Sequence, residues 1–190
     1  MQEPYVLDDR HLVLAARDGD QAAFEVLVRR HVDRLYGAAR LMLRDTDLAE
    51  DAVQQALVRA WRDLDSLRDP TAFGSWLQRL LVHACYDEAR RKRRWSANVR
   101  LVPLRDVDAR PVSDLDTREI LDRAFRTLSV DHRVILALHF YLDLEPAEIA
   151  DRLRIPAGTA RSRLHYAIAA MRAAVESDER RGSTSAGRPS

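Results

Sequence analysis

The stretch LEPAEIADRLRIPAGTARSRLHYAI, residues 144–168, has the pattern of two short helices that meet at a tight turn. Five apolar residues in it are spaced to form one small core between the two helices: Ile149, Leu153, Ile155, Ala160 and Leu164. Pro156 and Gly158 stand at the entrance of the second helix, where proline is preorganised and glycine permits close approach of the backbone. The stretch therefore predicts a helix-turn-helix.

Polar side chains occupy the first turns of the second helix and point away from the small core. They are Thr159, Arg161, Ser162, Arg163, His165 and Tyr166. In a DNA-binding helix-turn-helix, side chains at such positions reach base edges and phosphates. The alternative is the solvated end of a helical hairpin, because helical repeats often have the same geometry. The stretch by itself leaves both interpretations open.

The composition indicates an all-α protein, because alanine, leucine and arginine dominate and only six glycines occur in 190 residues. A content of 46% hydrophobic and 32% charged residues is ordinary for a globular chain. The longest apolar stretches are far shorter than the roughly 20 residues that cross a bilayer, and the first ten residues lack the pattern of a signal peptide. We therefore expect a cytoplasmic protein without membrane insertion.

The residues that could bind a metal or perform catalysis are not arranged for either purpose. Cys85 is the only cysteine, so no internal disulfide can form, and no cysteine or histidine spacing resembles a zinc site. His83, Cys85 and Asp87 point to different faces of a helix. His132 and His139 could share a face, but nothing else supplies ligands there. We expect no cofactor, no metal and no catalytic residue.

The near-neutral net charge of +1 conceals two segments of opposite sign. Residues 41–70 contain seven acids and four arginines, a net charge of −3, whereas residues 79–100 contain seven Arg or Lys and two acids, a net charge of +5. Five consecutive cations at residues 90–94 repel one another, so an anionic partner would stabilise them. The cluster is either a solvated surface or a nucleic-acid surface. In the second case Trp76 and Trp95 could stack on unpaired bases, although Trp76 also fits the apolar stripe of its helix.

Three helices are predicted in the first half of the chain from apolar residues that recur at intervals of three and four. The first runs from about residue 20 to residue 43. The second starts with Asp47, which has Glu50 three residues later in a capping-box arrangement. The third follows Asp69 as N-cap and Pro70 as first helical residue, and it becomes strongly polar towards its end.

A stretch without helical periodicity, residues 96–113, is predicted to be an exposed linker between two domains. The first domain spans residues 8–95 and the second spans residues 114–175. Helices are predicted in the second domain at about residues 114–127, 130–142 and 146–153, ahead of the second helix of the helix-turn-helix. Residues 176–190 have the composition of a disordered tail.

Three segments, in this order, resemble the extracytoplasmic-function (ECF) sigma factors of bacterial RNA polymerase. They are LAEDAVQQALVRAW (48–61), DPTAFGSWLQRLLVHACYDEARRKRR (69–94) and TLSVDHRVILALHFYLDLEPAEIADRLRIPAGTARSRLHYAIAAMR (127–172). They look like the family's helix that docks on the polymerase clamp coiled coil, its minus-ten reading helix and its minus-thirty-five domain. The resemblance covers about residues 8–173 and implies two small helical domains joined by a flexible linker.

The resemblance implies three sets of site residues. The residues that would bind polymerase are Asp47, Glu50, Asp51, Gln54 and Gln55. The residues that would contact minus-ten DNA are Arg79, His83, Asp87, Arg90, Arg91, Arg93 and Arg94. The residues that would contact minus-thirty-five DNA are Thr159, Arg161, Ser162, Arg163, His165 and Tyr166. Residues 63–69 would hold a flipped base, and Trp61 would mostly pack inside.

The resemblance also implies a dissociable subunit without chemistry of its own. It would bind the clamp coiled coil and flap regions of core RNA polymerase and direct promoter recognition, strand opening and transcription initiation. An anti-sigma protein would hold it inactive by covering its polymerase-binding surfaces.

The sequence departs from the family pattern at several positions. His83 stands where asparagine is often found in the minus-ten helix, which puts the preferred base in question. Tyr166 and Ile168 stand where arginines are common, which could weaken phosphate contacts. Glu145 stands where serine or threonine usually caps the helix.

The main alternative is a conventional helix-turn-helix regulator with an N-terminal helical dimerisation or ligand domain. It explains residues 144–172 equally well, but it leaves the acidic helix, the tryptophan-containing basic helix and their order unexplained. A helical enzyme is the third class, and it would need a polar pocket that the sequence does not indicate.

Overall fold

The computed structural model describes residues 8–98 and 115–185, and all regular secondary structure in these residues is helical. The described residues form eight α-helices: α1 (Asp9–Arg17), α2 (Gln21–Leu43), α3 (Thr46–Arg62), α4 (Phe73–Asn98), α5 (Leu115–Thr127), α6 (Val130–Leu136), α7 (Pro146–Leu153) and α8 (Ala157–Ser185). Two 3₁₀ turns, Leu64–Ser66 and Pro70–Ala72, join α3 to α4, and a π-helical turn, Ala137–Tyr141, extends α6. The prediction of an all-α protein is confirmed.

Carboxylate caps begin the first three helices. Asp8, Asp20 and Asp45 each accept a hydrogen bond from the backbone amide three residues further on, at 2.9, 3.1 and 3.1 Å. These bonds satisfy amides that have no partner within the helix. The predicted start of α2 is confirmed, but the predicted cap of α3 at Asp47 is wrong. Arg44 ends α2 in the left-handed conformation, and the extended backbone of Asp45 then makes that residue the cap.

The core of the first unit, α1–α4, lies between α2, α3 and α4. Small residues line the inner face of α3, where Ala49, Ala52, Ala56 and Ala60 are fully buried. Their size permits close approach of the larger side chains of α4, namely Phe73, Leu77 and Leu81, which are also fully buried. Each such apolar side chain contributes about 1.5–3 kcal/mol on burial.

α4 starts where the sequence pattern predicts. It ends three residues beyond the predicted boundary of the first domain at residue 95. Asp69 accepts hydrogen bonds from the amide of Thr71 at 2.9 Å and from its hydroxyl at 2.7 Å. Pro70 begins the 3₁₀ turn that leads directly into α4. The helix continues to Asn98, so residues 96–98, which were predicted to belong to the linker, are helical. The rest of the predicted linker lies outside the described residues.

The second unit, α5–α8, contains the predicted helix-turn-helix as α7 and α8. Ile149, Ala160 and Leu164 are buried in its small core, as the spacing predicts. Arg154 adopts the left-handed conformation (φ 52°) and ends α7. The hydrogen bond from the Glu145 amide to the Glu148 side chain, at 2.9 Å, fixes the start of that helix.

The last helix is longer than the sequence predicts. Residues 176–185, which have the composition of a disordered tail, continue α8 as regular helix. An ion pair of 2.8 Å between Arg123 of α5 and Asp178 holds this part of α8 against α5. Composition alone misses such a contact because it depends on the neighbouring helix. Residues 186–190 lie outside the described part of the chain.

Arginine side chains join the two units. Arg34 of α2 donates a hydrogen bond to the carbonyl of Leu142 at 2.8 Å. Arg133 of α6 donates to the carbonyl of Met42, also at 2.8 Å. Each arginine thus binds a main-chain acceptor of the other unit.

A tyrosine and a glycine make a second contact between the units. The ring of Tyr141 packs so closely against Gly37 of α2 that a Cβ atom at this position would overlap the tyrosine hydroxyl oxygen. Arg44 forms an ion pair with Asp122 of α5. Burial of Asp122 opposes ionisation, but the hydrogen bonds and charges of Arg44 and Arg126 outweigh it and lower the pKa of Asp122.

Candidate nucleic-acid interface

The first turns of α8 present a polar surface, which we call the α8 surface. It consists of Thr159, Arg161, Ser162, Arg163, His165 and Tyr166, of which Thr159 is half-buried and the other five are exposed. Ala160, Leu164 and Ala167 face the core from the same turns, so the polar residues point outward. The structure therefore brings all six predicted residues together on one accessible helix end.

Local contacts orient several side chains of the α8 surface. The hydroxyl of Ser162 donates to the carbonyl of Thr159 at 3.0 Å. The rings of His165 and Tyr166 meet edge to face, with centroids 5.7 Å apart. Neither Arg161 nor Arg163 has an ion-pair partner among the residues that the structure describes, so both guanidinium groups are available to an anion.

From Arg79 onward, α4 forms a basic surface, which we call the α4 surface. It consists of the predicted residues Arg79, His83, Asp87, Arg90, Arg91, Arg93 and Arg94. Most of them recur at intervals of three and four residues and so follow one side of the helix. Arg79 and Asp87 are half-buried, and the remaining five are exposed.

Ion pairs connect the α4 surface to the acidic helix α3. Arg91 lies 2.9 Å from Asp51, and Lys92 lies 2.7 Å from Asp45. Burial would raise the pKa of Asp45, but the hydrogen bonds from Lys92 and from the backbone outweigh this effect and lower it. The acidic and basic segments seen in the sequence thus neutralise each other in part.

Asp87 also takes part in the ion pairs between α4 and α3, so its carboxylate is not directed to solvent only. Its carboxylate lies 3.1 Å from the guanidinium of Arg59 on α3. Arg93 and Arg94 extend past the network and have no ion pair within residues 8–98 and 115–185. The end of α4 is therefore the part of the surface with the most uncompensated positive charge.

A buried glutamate ties α4 to α3 and was missed by the sequence analysis. Glu88 is only 1% exposed, accepts a hydrogen bond from Gln55 and lies 2.5 Å from the guanidinium of Arg91. A carboxylate at such depth needs partners of this kind. The sequence does carry a signal for the burial of Glu88: the residue lies seven positions after Leu81, which places it on the inward side of α4. Gln55, predicted to face polymerase, instead turns towards α4.

The rest of the predicted polymerase-binding face lies on the outer side of α3. Asp47, Glu50 and Gln54 are exposed, whereas Asp51 is half-buried by its pairing with α4. The hydroxyl of Tyr36 donates to Glu50 at 3.4 Å. The face is acidic and polar, as the sequence predicts, and three of its five residues are freely accessible.

The expectation that Trp61 packs inside is wrong. Its side chain is 45% exposed and meets the ring of Phe24 edge to face, with centroids 4.9 Å apart. Ala60 takes the inward position on the same turn and is fully buried. Together with Val58, which is also exposed, Trp61 adds an apolar patch to the outer side of α3.

A cleft of about 550 Å³ opens between residues 66–69, α4 and Arg154, and we call it the interdomain cleft. Arg79 and His83 of the α4 surface line it. Although His83 is exposed as a residue, partial desolvation in the cleft, followed by the positive charge of Arg154, lowers its pKa. The neighbouring loop is held by a hydrogen bond of 2.6 Å from the Ser66 hydroxyl to the Asp63 carbonyl.

The isolated cysteine is buried, and the ring of one isolated histidine contacts the main chain. Burial and the charge of Glu88 raise the pKa of Cys85 to about 12, which keeps the thiol protonated. The ring of His139 lies 2.9 Å from the carbonyl of Leu144. In the described residues, no group of three His, Cys, Asp or Glu side chains is placed to bind a metal ion. None of the described helices is long and apolar enough to span a bilayer.

Comparison with known families accounts for both units. Residues 27–95 match the family model of Sigma-70 region 2, and residues 118–171 match that of Sigma-70 region 4. The chain is 36% identical over 162 residues to the ECF RNA polymerase sigma factor SigM of Mycobacterium tuberculosis, covering 82% of this chain and 78% of that protein. The chain belongs to the ECF sigma factors. The region 2 match accounts for the acidic and basic helices that a conventional helix-turn-helix regulator leaves unexplained.

Further ECF sigma factors agree with this assignment. The ECF RNA polymerase sigma-E factor of Escherichia coli K12 is 31% identical over 180 residues, covering 85% of this chain and 91% of that protein. The structure of CnrH in complex with the cytosolic domain of CnrY superposes with a TM-score of 0.64 at 26% identity, covering 90% and 98% of the two chains. The sigma factor RpoE of Bartonella quintana, in complex with the anti-sigma factor NepR, has the same fold, with a TM-score of 0.68 at 24% identity and 80% and 96% coverage.

The ECF family assignment also fits the location of the described surfaces. The outer side of α3 and the α4 surface lie within the region 2 match, and the α8 surface lies within the region 4 match. As a sigma factor, the chain is a transcription initiation factor. The individual residue roles that the resemblance implies remain predictions.

Proposed function

We propose that the α4 surface and the α8 surface bind two parts of one promoter while core RNA polymerase holds the chain. The α4 surface would take the minus-ten element and the α8 surface the minus-thirty-five element. The observation that carries this proposal is the presence of two exposed cationic helix faces on two separate units. Each face lies on a rigid helix, which is the arrangement that positions side chains reproducibly against a duplex or a strand.

The α8 surface has the composition of a major-groove reader. Arg161 and Arg163 can grip phosphates or guanines, and Ser162 and His165 can hydrogen-bond to base edges. Tyr166, which is 64% exposed, offers an apolar ring where the family commonly has a cation. We therefore expect fewer phosphate contacts at this position and a correspondingly weaker salt dependence.

The α4 surface is suited to a melted strand. Arg79, His83 and the arginines beyond residue 89 follow one side of a long helix, which matches a flexible phosphate backbone. The loop at residues 63–69 lies beside this helix and would receive a flipped base. Trp95, which is 66% exposed at the end of the same surface, can stack on an unpaired base.

The outer side of α3 is the proposed docking face for the clamp coiled coil of polymerase. Asp47, Glu50 and Gln54 supply accessible polar groups. Trp61 and Val58 supply exposed apolar area, and a tryptophan at the centre of an interface is a frequent anchor of binding energy. The exposure of Trp61, unexpected from the sequence, thus supports this docking face.

The contact between the two units has to break before both surfaces can work. Arg154, at the end of α7 just before α8, lines the interdomain cleft together with Arg79 and His83 of the α4 surface, so the start of α8 lies beside α4 in the packed arrangement. Two DNA surfaces that adjoin cannot reach two separated elements of one duplex, so we infer that polymerase binding separates the units.

Regulation and location follow from the family. We infer that an anti-sigma protein controls the chain by covering the outer side of α3 and stabilising the packed arrangement. We also infer that the chain acts in the cytoplasm, where polymerase is, and performs no chemistry of its own.

Run-off transcription with purified core RNA polymerase and genomic DNA tests the proposed function directly. The chain together with core enzyme is expected to give discrete transcripts that core enzyme alone does not give. The start sites would reveal the two promoter elements. Failure to associate with core polymerase in gel filtration, with no transcript, would overturn the proposal.

A further inference from the structure

The first helix, α1, is bonded to the loop that joins α3 to α4. Arg17, in the last turn of α1, donates hydrogen bonds from Nε and Nη2 to the carbonyl of Leu64, at 3.3 and 3.2 Å. Its Nη2 also donates to the carbonyl of Leu67. One guanidinium thus joins two main-chain oxygens that lie three residues apart in the loop. Arg17 precedes the match to Sigma-70 region 2, which begins at residue 27.

The loop at residues 63–69 has an inner and an outer side. The side chains of Leu64 and Leu67 are buried in the core of the first unit. The outer side consists of the exposed residues Asp65, Ser66, Arg68 and Asp69. The backbone between the two leucines is a short 3₁₀ turn, a conformation whose internal hydrogen bonds have poorer geometry than those of an α-helix. The shape of the outer side therefore depends on the contacts that hold this backbone.

Arg17 extends from a helix that is itself fixed in place. At the start of α1, Asp9 lies 3.0 Å from Arg30 and 2.8 Å from the ring of His31, both on α2. Val13, in the middle of α1, is fully buried. Arg17 is half-buried and has no ion pair within the described parts of the chain, residues 8–98 and 115–185. Its planar guanidinium group binds the loop backbone, and such a group fixes the relative position of two acceptors.

We propose that Arg17 is a positioning residue for the flipped minus-ten base, because it holds the loop at residues 63–69 in the shape that receives the base. The inference rests on the proposed function, in which this loop takes that base. Arg17 acts through the carbonyls of Leu64 and Leu67 and not through a contact with DNA. A loop that is already ordered loses less conformational freedom on binding, so more of the contact energy contributes to affinity.

Fork-junction DNA tests the role of Arg17 in holoenzyme that is assembled from core polymerase and the full chain. The DNA is taken from a promoter that run-off transcription has identified. In a series of probes, one non-template base of the minus-ten element at a time is replaced by an abasic site. Holoenzyme with the unaltered chain is expected to lose about tenfold or more in affinity at one position, which identifies the flipped base.

Arg17→Ala is expected to remove most of this abasic penalty. Its holoenzyme should bind the intact probe about fivefold or more weakly than the unaltered holoenzyme, but the two should agree within about twofold on the abasic probe. Arg17→Lys keeps the positive charge without the planar fork and should give an intermediate penalty. Arg29→Ala removes an exposed arginine of α2 in the same unit, so it is the matched control and should keep the full penalty.

The abasic comparison separates positioning from the other roles that an arginine can have. An unchanged penalty in Arg17→Ala would overturn the proposal. Equal losses of affinity on the intact and abasic probes would also overturn it, because they would indicate a phosphate contact or a general loss of structure. Circular dichroism verifies the fold, and Arg17→Lys provides the same comparison if Arg17→Ala does not fold. Absence of any abasic penalty in the unaltered holoenzyme would instead overturn the proposed flipped-base loop, and the role of Arg17 with it.

Discussion

Asp51 of α3 and Arg91 of α4 form an ion pair of 2.9 Å, which links the proposed polymerase-binding face to the proposed minus-ten surface. Arg91 also lies 2.5 Å from the buried Glu88. The guanidinium of Arg91 therefore forms ion pairs with two carboxylates of the same protein, Asp51 and Glu88. A partner that engages Asp51 would leave Arg91 with fewer internal bonds and more freedom to meet a phosphate.

Replacement of Asp51 and Gln54 by arginine is expected to abolish co-elution with core polymerase. The change reverses charge on the outer side of α3 and replaces the carboxylate that pairs with Arg91 by a second positive charge. Gel filtration of equimolar mixtures measures the effect. The double variant Asp18→Arg and Gln21→Arg alters two exposed residues elsewhere in the same unit and should co-elute normally. Retained co-elution of the first variant would count against this docking face.

Replacement of Arg161 and Arg163 by alanine is expected to lower transcription from promoters that depend on a minus-thirty-five element. If both side chains contact phosphates, the slope of log affinity against log salt should decrease in magnitude by about 2. Fluorescence anisotropy of the holoenzyme on labelled promoter DNA gives that slope. Arg172→Ala is the control and should leave the slope unchanged. An unaltered slope for the double variant would indicate that Arg161 and Arg163 are solvated and do not contact phosphates.

Replacement of Glu88 by alanine is expected to destabilise the protein by about 1–3 kcal/mol, because Gln55 loses a buried acceptor. Urea denaturation followed by circular dichroism measures the free energy of unfolding. Glu119→Ala removes an exposed carboxylate that pairs with Arg123 one helical turn away, and it should cost less than about 0.5 kcal/mol. Equal effects of the two substitutions would contradict the structural role of Glu88.

The combined substitutions Arg34→Ala and Gly37→Ala are expected to separate the two units. The first removes the hydrogen bond to Leu142, and the second forces the ring of Tyr141 away from α2. Both introduce a strong helix former, so α2 itself should remain folded. Small-angle X-ray scattering should show a larger radius of gyration, whereas Arg29→Ala on the exposed side of α2 should not change it. An unchanged radius would show that these contacts do not hold the units together.

The pKa of His83 is expected to rise towards its ordinary value of 6.5 when Arg154 is replaced by alanine. Because the pKa is lowered in the folded state, the unfolded chain binds a proton more readily, and stability should decrease as the pH falls below about 6.5. NMR titration of the His83 ring measures the pKa in both proteins. The Arg172→Ala variant should titrate like the unaltered protein, and an identical titration in Arg154→Ala would show that the two groups do not interact.

The sequence predicted the fold class, most helix limits and the membership of the α8 surface, because these depend on local periodicity. It misplaced Gln55 and Trp61, because a residue at the border of a helix face can turn either way. Neighbouring helices decide that outcome: Glu88 on α4 attracts Gln55, and Ala60 takes the inward position next to Trp61.

The packing of the two units could not be predicted from the sequence. Arg34 and Arg133 bind carbonyl oxygens, and every residue of a protein has such an oxygen. No pattern of residue types therefore indicates the partner. Likewise the cap at Asp45 depends on the left-handed backbone of the preceding arginine, a conformation that the sequence pattern does not reveal.

Carbonyl acceptors also have a physiological consequence. Because they do not titrate and carry no full charge, the bonds of Arg34 and Arg133 respond little to acidity and less to ionic strength than carboxylate pairs do. Acid or salt would weaken the ion pair of Arg44 and Asp122 between the units, but it would leave these two bonds largely in place. A macromolecule that competes for Arg34 and Arg133 would have to break these two hydrogen bonds before the units separate. Binding of that macromolecule, more than a change of pH or salt, would therefore control the separation.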